Sequence, residues 1–556
     1  MVSTSQAGAT DAALAASFQQ SRSRVIARGG MVAAAHPLAV AAGVDALRKG
    51  GNAMDAAIAA ALTTTVTLPA MSGLGGDAFF IHFDGKTKEI TALNSSGIAP
   101  RAFSRDYFIS RGYEKMPFYG PLSMGVPGAV DAYFQAIQRW CKLPARDLFS
   151  YAIHYAEKGF PLSVTGERTI ASAAKELAKF DSSAAIFLRD GRPLRAGEFL
   201  TQTNVSKTLR EVAEGGPEAF YDGEIAQRIA SAIQEAGGEL TAADMGGHTS
   251  DIYQPISTDY RGYTVYQTTL PTQGHIVLEE LNILENADVA GMGHNTAETL
   301  HLMIEAKKRA FADRNAYSRD PNFGPTPLDT LISKEFARSR FESIDPERAS
   351  DREEPGVIPE MDGDTTYLCT ADGDGNMVTF IHSLSAGFGS QFVAGDTGVL
   401  LNNRVGRGFS LEEGHPNVVE GGKRTMHTLN AYAIARDGEM LVVGGTPGGD
   451  QQPQWNMQAI SNMIDHGMDV QQAVDAARWQ SFPGTDPINL PNDYEVRIES
   501  RVGDEAIEGL RARGHTVKVL GPYAAGGAAF IIRRDPETGV LEGGADPRSE
   551  GLALGI

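Results

Sequence analysis

The sequence predicts a mixed α/β protein made of two segments that meet near residue 364. Helical and strand patterns alternate in the first segment, and the second segment opens on a strand hairpin and then mixes strands with helices. An acidic stretch with few core-forming side chains separates the two. The 556 residues allow two to four ordinary domains or one unusually large α/β unit.

Charge and composition exclude several classes of function. The net charge is −20 and no dense Lys/Arg run occurs, so nothing would offset the phosphate repulsion of a nucleic acid. No run reaches the roughly 18 apolar residues of a membrane span. The polar N-terminus has no apolar signal region, which predicts a cytoplasmic protein. Cys141 and Cys369 lie far apart, so no disulfide framework is expected.

The first segment contains the turns, helices and strands of an α/β unit. Gly50–Asn52 form a capping turn before a small-residue helix over Asp55–Leu62, which can pack closely on a sheet. Strands are predicted over Phe79–Phe83 and Glu89–Leu93. Residues 296–320 form the clearest amphipathic helix, with an apolar face of Leu300, Met303, Ile304, Ala310 and Phe311.

Residues 345–364 form the acidic linker. They carry eight acids against two arginines, which is typical of a solvated segment. Directly after it, Thr365–Asp372 and Met377–Leu384 predict a β-hairpin around the turn Gly373–Asn376. The rest of the segment predicts three more strands and two helices: Met440–Val443, Thr516–Leu520 and Ala529–Arg533, then Trp455–Asp465 and Glu505–Arg513.

Two glycine-rich loops have different interpretations. Ser72–Asp77 does not meet the G-x-G-x-x-G pattern of a dinucleotide loop. Gly444–Gly449 lies between a strand and a helix, but Asp450 and Gln451 follow where a phosphate loop has Lys and Ser or Thr, and a carboxylate would repel phosphate. Backbone N–H groups at a helix N-terminus also suit an oxyanion hole. An ordinary strand-to-helix turn is the alternative.

Metal and cofactor sites are not expected. Asp372–Asn376 is acidic, but Met377 and Ser383 stand where an EF-hand loop needs Gly and Glu, so a polar hairpin turn is the better interpretation. The twelve histidines show no H-E-x-x-H or other ligand spacing. No G-x-S-x-G nucleophile motif occurs.

Thr365 is the candidate nucleophile. A threonine pair at the start of a strand is, by itself, ordinary for a strand. Here it follows directly on the linker, and a loop suited to an oxyanion lies in the same segment. An N-terminal threonine attacks with its hydroxyl while its α-amine, with a reference pKa of about 7.7–8.0, takes the proton. Such a terminus requires cleavage of the Asp364–Thr365 bond.

Nine blocks, in order and spread over nearly the whole chain, resemble the γ-glutamyltranspeptidase family. They are GMVAAAHPLAVAAG (30–43), GGNAMDAAIAAAL (50–62), SGLGGDAFF (72–80), LSMGVPGAV (122–130), EAKKRAFADRNAYSRDP (305–321), the hairpin from Thr365, FGSQFVAGDTGVLLNN (388–403), GGTPGGDQQ (444–452) and GADPRSEGLALG (544–555).

The resemblance implies an N-terminal-nucleophile hydrolase, a four-layer αββα sandwich made as a proenzyme that cuts itself. Residues 1–364 would form the large subunit and residues 365–556 the small subunit of one integrated unit. Carried over, Thr365 is the nucleophile, and Ser383 matches a threonine that orients the terminal amine. Gly448 and Gly449 match the oxyanion donors. A homodimer of processed heterodimers is also expected.

The donor site departs from the family pattern. Ser96 stands where glutathione-acting members have the Arg that holds the donor carboxylate. Arg404 and Arg407 replace the acidic or amide groups that meet the donor ammonium, and no acid obviously replaces them nearby. A pair of serines becomes His427-Thr428. These residues and Ser385 are predicted to contact substrate, with a solvent-facing loop as the alternative for the two arginines.

These features resemble a transpeptidase-like subgroup that includes oxamate amidohydrolase, with glutaryl-cephalosporin acylases as relatives. We expect an amidohydrolase acting on a small or acidic amide, because an Arg facing an ammonium group is unfavourable. The alternatives are a glutathione hydrolase or γ-glutamyltransferase with a rebuilt donor site, and a non-catalytic binding protein on the same fold.

Overall fold

The computed structural model describes residues 20–351, 353, 365–483 and 493–556. Asp364, the predicted cleavage position, and most of the acidic linker therefore lie outside the described residues.

The strands are short and distributed along the whole chain. They are β1 Val25–Ala27, β2 Gly30–Ala34, β3 Asp77–Phe83, β4 Ile90–Ser95, β5 Phe160–Pro161, β6 Leu188–Arg189, β7 Arg192–Pro193, β8 Phe199–Leu200, β9 Asp251–Tyr253, β10 Ile256–Tyr260, β11 Tyr263–Gln267, β12 Thr366–Asp372, β13 Met377–Ser383, β14 Ala431–Arg436, β15 Glu439–Gly445, β16 Trp479–Phe482, β17 Glu495–Glu499, β18 Val517–Leu520, β19 Phe530–Arg534, β20 Leu541–Ala545 and β21 Leu552–Gly555.

The helices lie between these strands, and α9 is interrupted at Gly216. They are α1 Pro37–Arg48, α2 Ala53–Thr67, α3 Arg105–Ile109, α4 Ala129–Trp140, α5 Ala145–Leu148, α6 Ser150–Lys158, α7 Val164–Leu177, α8 Asp181–Phe187, α9 Thr203–Tyr221, α10 Glu224–Glu235, α11 Ala242–Gly246, α12 Gly274–Leu284, α13 Val289–Met292, α14 Ala297–Tyr317, α15 Leu328–Leu331, α16 Lys334–Glu342, α17 Arg404–Gly408, α18 Gln451–Ile464, α19 Val470–Asp475 and α20 Asp504–Ala512.

Two antiparallel sheets of seven strands each form the centre of the molecule. Sheet I has the order β1-β20-β19-β15-β14-β11-β10, and sheet II has the order β21-β2-β12-β13-β3-β4-β9. Both sheets combine strands that precede residue 364 with strands that follow it. The two parts of the chain therefore share both central sheets.

The apolar core divides into three layers that define an αββα sandwich. Alternate side chains of the two sheets, such as Phe79 and Tyr367 from sheet II and Val443 and Phe530 from sheet I, pack against each other. The outer face of sheet II is covered by helices that include α1, α2 and α4. The outer face of sheet I is covered by α12, α18 and α19, with α14 packed on α12 and α20 packed on α14. The predicted four-layer fold is confirmed.

The small-residue helix is longer than predicted. Asn52 caps α2 and forms a capping box with Asp55, so the helix begins where the sequence indicated. It continues through Thr67, and the buried Thr63 and Thr67 satisfy their hydroxyls on main-chain carbonyls within the helix. All fifteen of its side chains are buried. The alanines allow α2 to pack closely on sheet II, as predicted.

The prediction of an amphipathic helix over residues 296–320 is wrong in one respect. The helix exists as α14, but its polar face is buried as well as its apolar face. Lys308 and Arg309 both pair with Glu305 on the same helix. Arg314 pairs with Asp450, at the start of α18. The polar face is therefore covered by partners from distant parts of the sequence, which periodicity does not reveal.

Among the described residues, none of the helices combines the length and the apolar character that a membrane crossing requires.

Candidate active site

Thr365 lies directly before β12 and is 1% exposed. In the β12–β13 hairpin Thr366 pairs with His382, so Thr365 comes next to Ser383 at the open end of the hairpin. The Thr365 Oγ1 hydroxyl donates to Ser383 Oγ at 3.3 Å. The hairpin that the sequence predicted thus brings the candidate nucleophile and the candidate orienting hydroxyl together.

Two further groups fix this pair. The Ser385 backbone N–H donates to Ser383 Oγ at 2.8 Å. The Gln452 Nε2 group donates to Thr365 Oγ1 at 3.3 Å, and its Oε1 accepts from the Asn430 N–H at 3.0 Å. Sequence reasoning missed Gln452, although it lies in the quoted GGTPGGDQQ block.

The loop Gly444–Gly449, called the oxyanion loop below, connects β15 to α18. Gly448 has φ 134° and Gly449 has φ 56°, a region that favours glycine. A Cβ atom on Gly448 would lie 2.4 Å from the Trp455 ring, so a side chain has no room there. The Gly449 carbonyl oxygen accepts a hydrogen bond from Gln273 Nε2 at 2.9 Å, which anchors the loop to the neighbouring segment.

Thr365 and Gly448 line one cavity of about 160 Å³. A nucleophile and a helix-terminal glycine that share a cavity are the arrangement that acyl transfer needs. Charged groups line the far wall, and burial raises the pKa of Glu550 there. The lining residues are Ala35, Leu68, Met71, Thr165, Arg168, Thr365, Pro447, Gly448, Gly527, Ala528, Arg548, Ser549 and Glu550.

The six predicted substrate-binding residues are not among these lining residues. Arg404 and His427 contact Asp77, and Ser385 contacts Ser383. Asp77 begins β3 and is directly opposite Ser383 in the register of β13 and β3. Arg404 Nε donates to Asp77 Oδ2 at 3.2 Å, and His427 Nε2 contacts the same oxygen at 3.1 Å. Gly97 N–H donates to Asp77 Oδ1 at 2.8 Å. The expectation that no acid lies near the arginines is therefore wrong.

The protonation states of this cluster follow from burial and charge. Burial opposes ionisation of Asp77, but the hydrogen bond with His427 and the Arg404 charge outweigh it and lower the pKa. Burial, reinforced by Arg404, lowers the pKa of His427 to about 4, so this ring is neutral at pH 7. Burial lowers the pKa of Arg404 to about 10, which leaves it charged. Asp77 and Arg404 thus form the ion pair.

Arg407 is 1% exposed and has only neutral partners in the structure. Its Nη1 group donates to the Ser385 carbonyl at 2.9 Å and to the Ser385 hydroxyl at 3.4 Å. Its Nε and Nη2 groups have no hydrogen-bond partner among the described residues. Arg404 Nη2 and Thr428 Oγ1 likewise have no hydrogen-bond partner among the described residues. Both arginines are buried, so the solvent-facing alternative is wrong.

Ser96 lies beside this cluster without pointing a free hydroxyl into it. Its Oγ donates to Asn94 Oδ1 at 2.7 Å, and its carbonyl accepts from Arg424 Nε at 3.0 Å. Arg424 also pairs with Asp251. Arg424 is therefore fully engaged, and it was missed by sequence reasoning because its partners are distant in the chain.

The described residues contain one side-chain group with metal-ligand chemistry, away from Thr365. His301, Glu305 and His515 are buried together, and His301 Nδ1 lies 2.8 Å from His515 Nε2. Glu305 is already paired with Lys308 and Arg309. Two neighbouring cations oppose a divalent ion, so this donor set does not favour a metal site.

Comparison with known proteins agrees with this geometry. The profile of the family described as Gamma-glutamyltranspeptidase matches residues 39–556. The glutathione hydrolase-like YwrD proenzyme of Bacillus subtilis (strain 168) is 39% identical over 96% of this chain and 99% of its own. The oxamate amidohydrolase proenzyme of Klebsiella pneumoniae is 32% identical over 95% of this chain and 98% of its own.

Similarity to solved structures supports the same assignment. The crystal structure of cephalosporin acylase from Bacillus halodurans superimposes with a TM-score of 0.90, at 36% identity over 96% of this chain and 97% of its own. The family and these neighbours consist of hydrolases and transferases, so the chain is an enzyme of this type. The chain belongs to the γ-glutamyltranspeptidase family.

Proposed function

We propose that the protein is a self-processing amidohydrolase with Thr365 as its N-terminal nucleophile, and that it cleaves amides whose acyl group carries a carboxylate. The observation that carries the acyl preference is the buried Arg407 guanidinium, which has two N–H groups without a partner among the described residues. Hydrogen bonds connect Arg407 to Thr365. Arg407 Nη1 donates to the Ser385 hydroxyl, and both the Ser385 N–H and the Thr365 hydroxyl donate to Ser383 Oγ.

Self-processing is supported by the position of Thr365 and by the names of the relatives. Cleavage of the Asp364–Thr365 bond would free an α-amine beside Ser383, whose hydroxyl can hold it. The B. subtilis and K. pneumoniae relatives are both named proenzymes. Strands from both sides of the cut share both sheets, so the resulting large and small subunits would remain associated.

The reaction follows from these groups. The Thr365 hydroxyl passes its proton to the α-amine while its oxygen forms a bond to the amide carbon. The oxyanion loop stabilises the negative oxygen of the tetrahedral intermediate. The C–N bond then breaks, the leaving amine takes the proton, and an ester on Thr365 remains. Water hydrolyses this ester through the same base, which releases the acid and restores the threonine.

The charge balance of the acyl side favours an anion. The negative charge of Asp77 balances the positive charge of Arg404, and His427 is neutral at pH 7. The positive charge of Arg407 is therefore not balanced within this cluster. A substrate carboxylate that meets Arg407 gains a charge-assisted hydrogen bond worth about 1.5–3 kcal/mol. A γ-glutamyl donor also brings an ammonium group, which would lie near two guanidinium groups.

Glutathione hydrolysis or γ-glutamyl transfer is the second candidate. It is favoured by the name of the B. subtilis relative, a glutathione hydrolase-like proenzyme. Asp77 is the one acid placed to meet an ammonium group in this cluster, and Arg404 already occupies it. A non-catalytic binding protein is disfavoured, because the family and its structural neighbours are enzymes and because Thr365, Ser383, Gly448 and Gly449 are all present.

Glutaryl-anilide and γ-glutamyl-anilide test the proposal, because the two differ only by the α-amino group. We expect a higher kcat/KM for glutaryl-anilide. Arg407→Gln should raise KM for glutaryl-anilide by about tenfold to a hundredfold, with a smaller change for γ-glutamyl-anilide. Arg424→Gln is the matched control, because the Arg424 guanidinium already pairs with Asp251. It should leave the ratio of the two KM values unchanged. Preference for γ-glutamyl-anilide, with Arg407→Gln at wild-type KM, would establish the second candidate instead.

A further inference from the structure

We infer that Arg314 is a positioning residue for the oxyanion loop, since it neutralises Asp450 and fixes, through Gln273, the carbonyl of Gly449. The inference rests on the proposed role of Thr365 and goes beyond it by assigning a function to a residue on a remote helix. Arg314 lies on α14, and Asp450 immediately follows the loop at the start of α18.

Asp450 poses an electrostatic problem for an oxyanion hole. Its carboxylate follows Gly449 directly and is fully buried, so water does not screen it. A negative charge beside the glycines would repel the negative oxygen that develops there during acyl transfer. The Asp450 carboxylate, which makes a phosphate ligand unfavourable at this loop, is equally unfavourable for an oxyanion. A working oxyanion hole therefore requires a counter-charge.

Arg314 supplies that charge. Its Nη1 group lies 2.9 Å from Asp450 Oδ1, and both side chains are 0% exposed. The guanidinium also stacks on the Phe311 ring, with 4.5 Å between its central carbon and the ring centroid. The charge of Arg314 further acts on its surroundings, since it adds to burial in lowering the pKa of His275 to about 3.

Arg314 also orients the loop through a neutral side chain. Its Nη1 group donates to Gln273 Oε1. Because the amide oxygen of Gln273 faces the guanidinium, its Nε2 group must face the other way. That group donates to the Gly449 carbonyl at 2.9 Å and to the Thr428 carbonyl at 2.6 Å. Arg314 on one side and the two carbonyls on the other therefore hold the amide in one orientation.

A purely architectural clamp between α14 and α18 is the competing explanation. The chain offers a control for it, because Arg340 of α16 and Asp313 of α14 form another, largely buried pair, 16% and 5% exposed, at a distance of 2.7 Å. That pair joins α14 to α16 and does not touch the oxyanion loop. Loss of Arg340 should therefore reproduce the structural cost of losing a buried pair without the electrostatic cost to the reaction.

The probe is p-nitrophenyl acetate, whose acetyl group needs no contact with the arginines of the donor side. The Thr365 oxygen forms a bond to the acetyl carbon, the bond to p-nitrophenolate breaks, and the hydroxyl proton passes to the α-amine. The burst of p-nitrophenolate gives the acylation rate constant at each ester concentration. Mass spectrometry locates the acetyl group on the 365–556 chain. If the wild type acquires no acetyl group on Thr365, the proposed function itself fails, and the inference fails with it.

Arg314→Gln should lower the limiting acylation rate by about tenfold to a hundredfold without raising the half-saturating ester concentration. Adding Asp450→Asn should restore the rate to within about threefold of the wild type, because the double variant lacks both charges of the pair. Arg340→Gln should lower the melting temperature but keep the wild-type acylation rate. A double variant as slow as Arg314→Gln, or an Arg340→Gln enzyme equally impaired, would overturn the inference.

Arg314→Lys covers the case in which Arg314→Gln does not fold or process. The lysine keeps the charge beside Asp450 and loses the planar guanidinium whose Nη1 group contacts both Asp450 and Gln273. We expect a loss of about tenfold or less in the acylation rate. A larger loss in a Lys variant with the wild-type melting temperature would show that neutralisation of Asp450 is not what Arg314 contributes.

Discussion

The Arg404 Nε group lies 3.2 Å from Asp77 Oδ2, in a pair whose side chains are 3% and 0% exposed. Asp77 is also directly opposite Ser383 in the register of sheet II. One carboxylate thereby ties the donor-side arginine to the strand that carries the orienting hydroxyl of the nucleophile. The alignment of β3 with β13 sets this relationship, although Asp77 and Arg404 are far apart in sequence.

Replacing Asp77 by Asn should destabilise the protein strongly. The change leaves the Arg404 charge buried without a counter-ion, which costs about 3–5 kcal/mol in the free energy of unfolding. Urea unfolding of the two proteins measures it. Lys88→Gln breaks the exposed pair with Glu439 and is the control, with an expected loss of about 1 kcal/mol or less. Equal small losses in both variants would mean that the Asp77–Arg404 pair contributes no more than a surface contact.

Replacing Thr365 by Ala should leave the chain uncut. Without the hydroxyl no oxygen can attack the preceding peptide bond, so mass spectrometry should show one 556-residue chain instead of two chains that divide at Asp364–Thr365. The neighbouring Thr366→Ser variant keeps Thr365 and should process normally. Cleavage of the Thr365→Ala protein at the same bond would contradict self-processing by this residue.

Replacing Ser383 by Ala should slow catalysis less than the loss of Thr365. The Ser383 hydroxyl holds the nucleophile at 3.3 Å but forms no bond to substrate. Its loss should cost about 1–3 kcal/mol, or roughly tenfold to a hundredfold in kcat. Ser383→Thr restores the hydroxyl and should recover most of the rate. An inactive Ser383→Thr enzyme would show that the position is constrained by packing and not by the hydrogen bond.

Stability should fall as the pH drops from about 6.5 towards 3, with His382 as one cause. Burial lowers the pKa of His382 from 6.5 to about 3, so the unfolded chain binds a proton in this window that the folded protein does not. Each such group contributes about 1.4 kcal/mol of stability per pH unit, and this is lost as the pH falls. His382→Gln should flatten the slope by that amount, measured by urea unfolding at pH 4, 5, 6 and 7. His154→Gln, at an exposed position, should keep the wild-type slope; a matching decrease there would rule out burial as the origin.

Much of the fold was predictable from local sequence. Asn52 and Asp55 mark the start of α2 because a capping box needs only residues that are three apart. The hairpin around Gly373–Asn376 was predictable because a short turn fixes the pairing of its own strands. The same hairpin places Thr365 beside Ser383, so this part of the candidate site could be inferred before the structure.

The sequence by itself determined the candidate nucleophile, the strand-loop-helix setting of Gly448 and Gly449, and, through its resemblance, the family. Tertiary structure alone decided what surrounds them. Asp77 contacts Arg404, and Arg314 contacts Asp450, because sheet pairing and helix packing join segments that are 327 and 136 residues apart. Local periodicity carries no information about such contacts, since a buried charge and an exposed one look alike until the partner is in place.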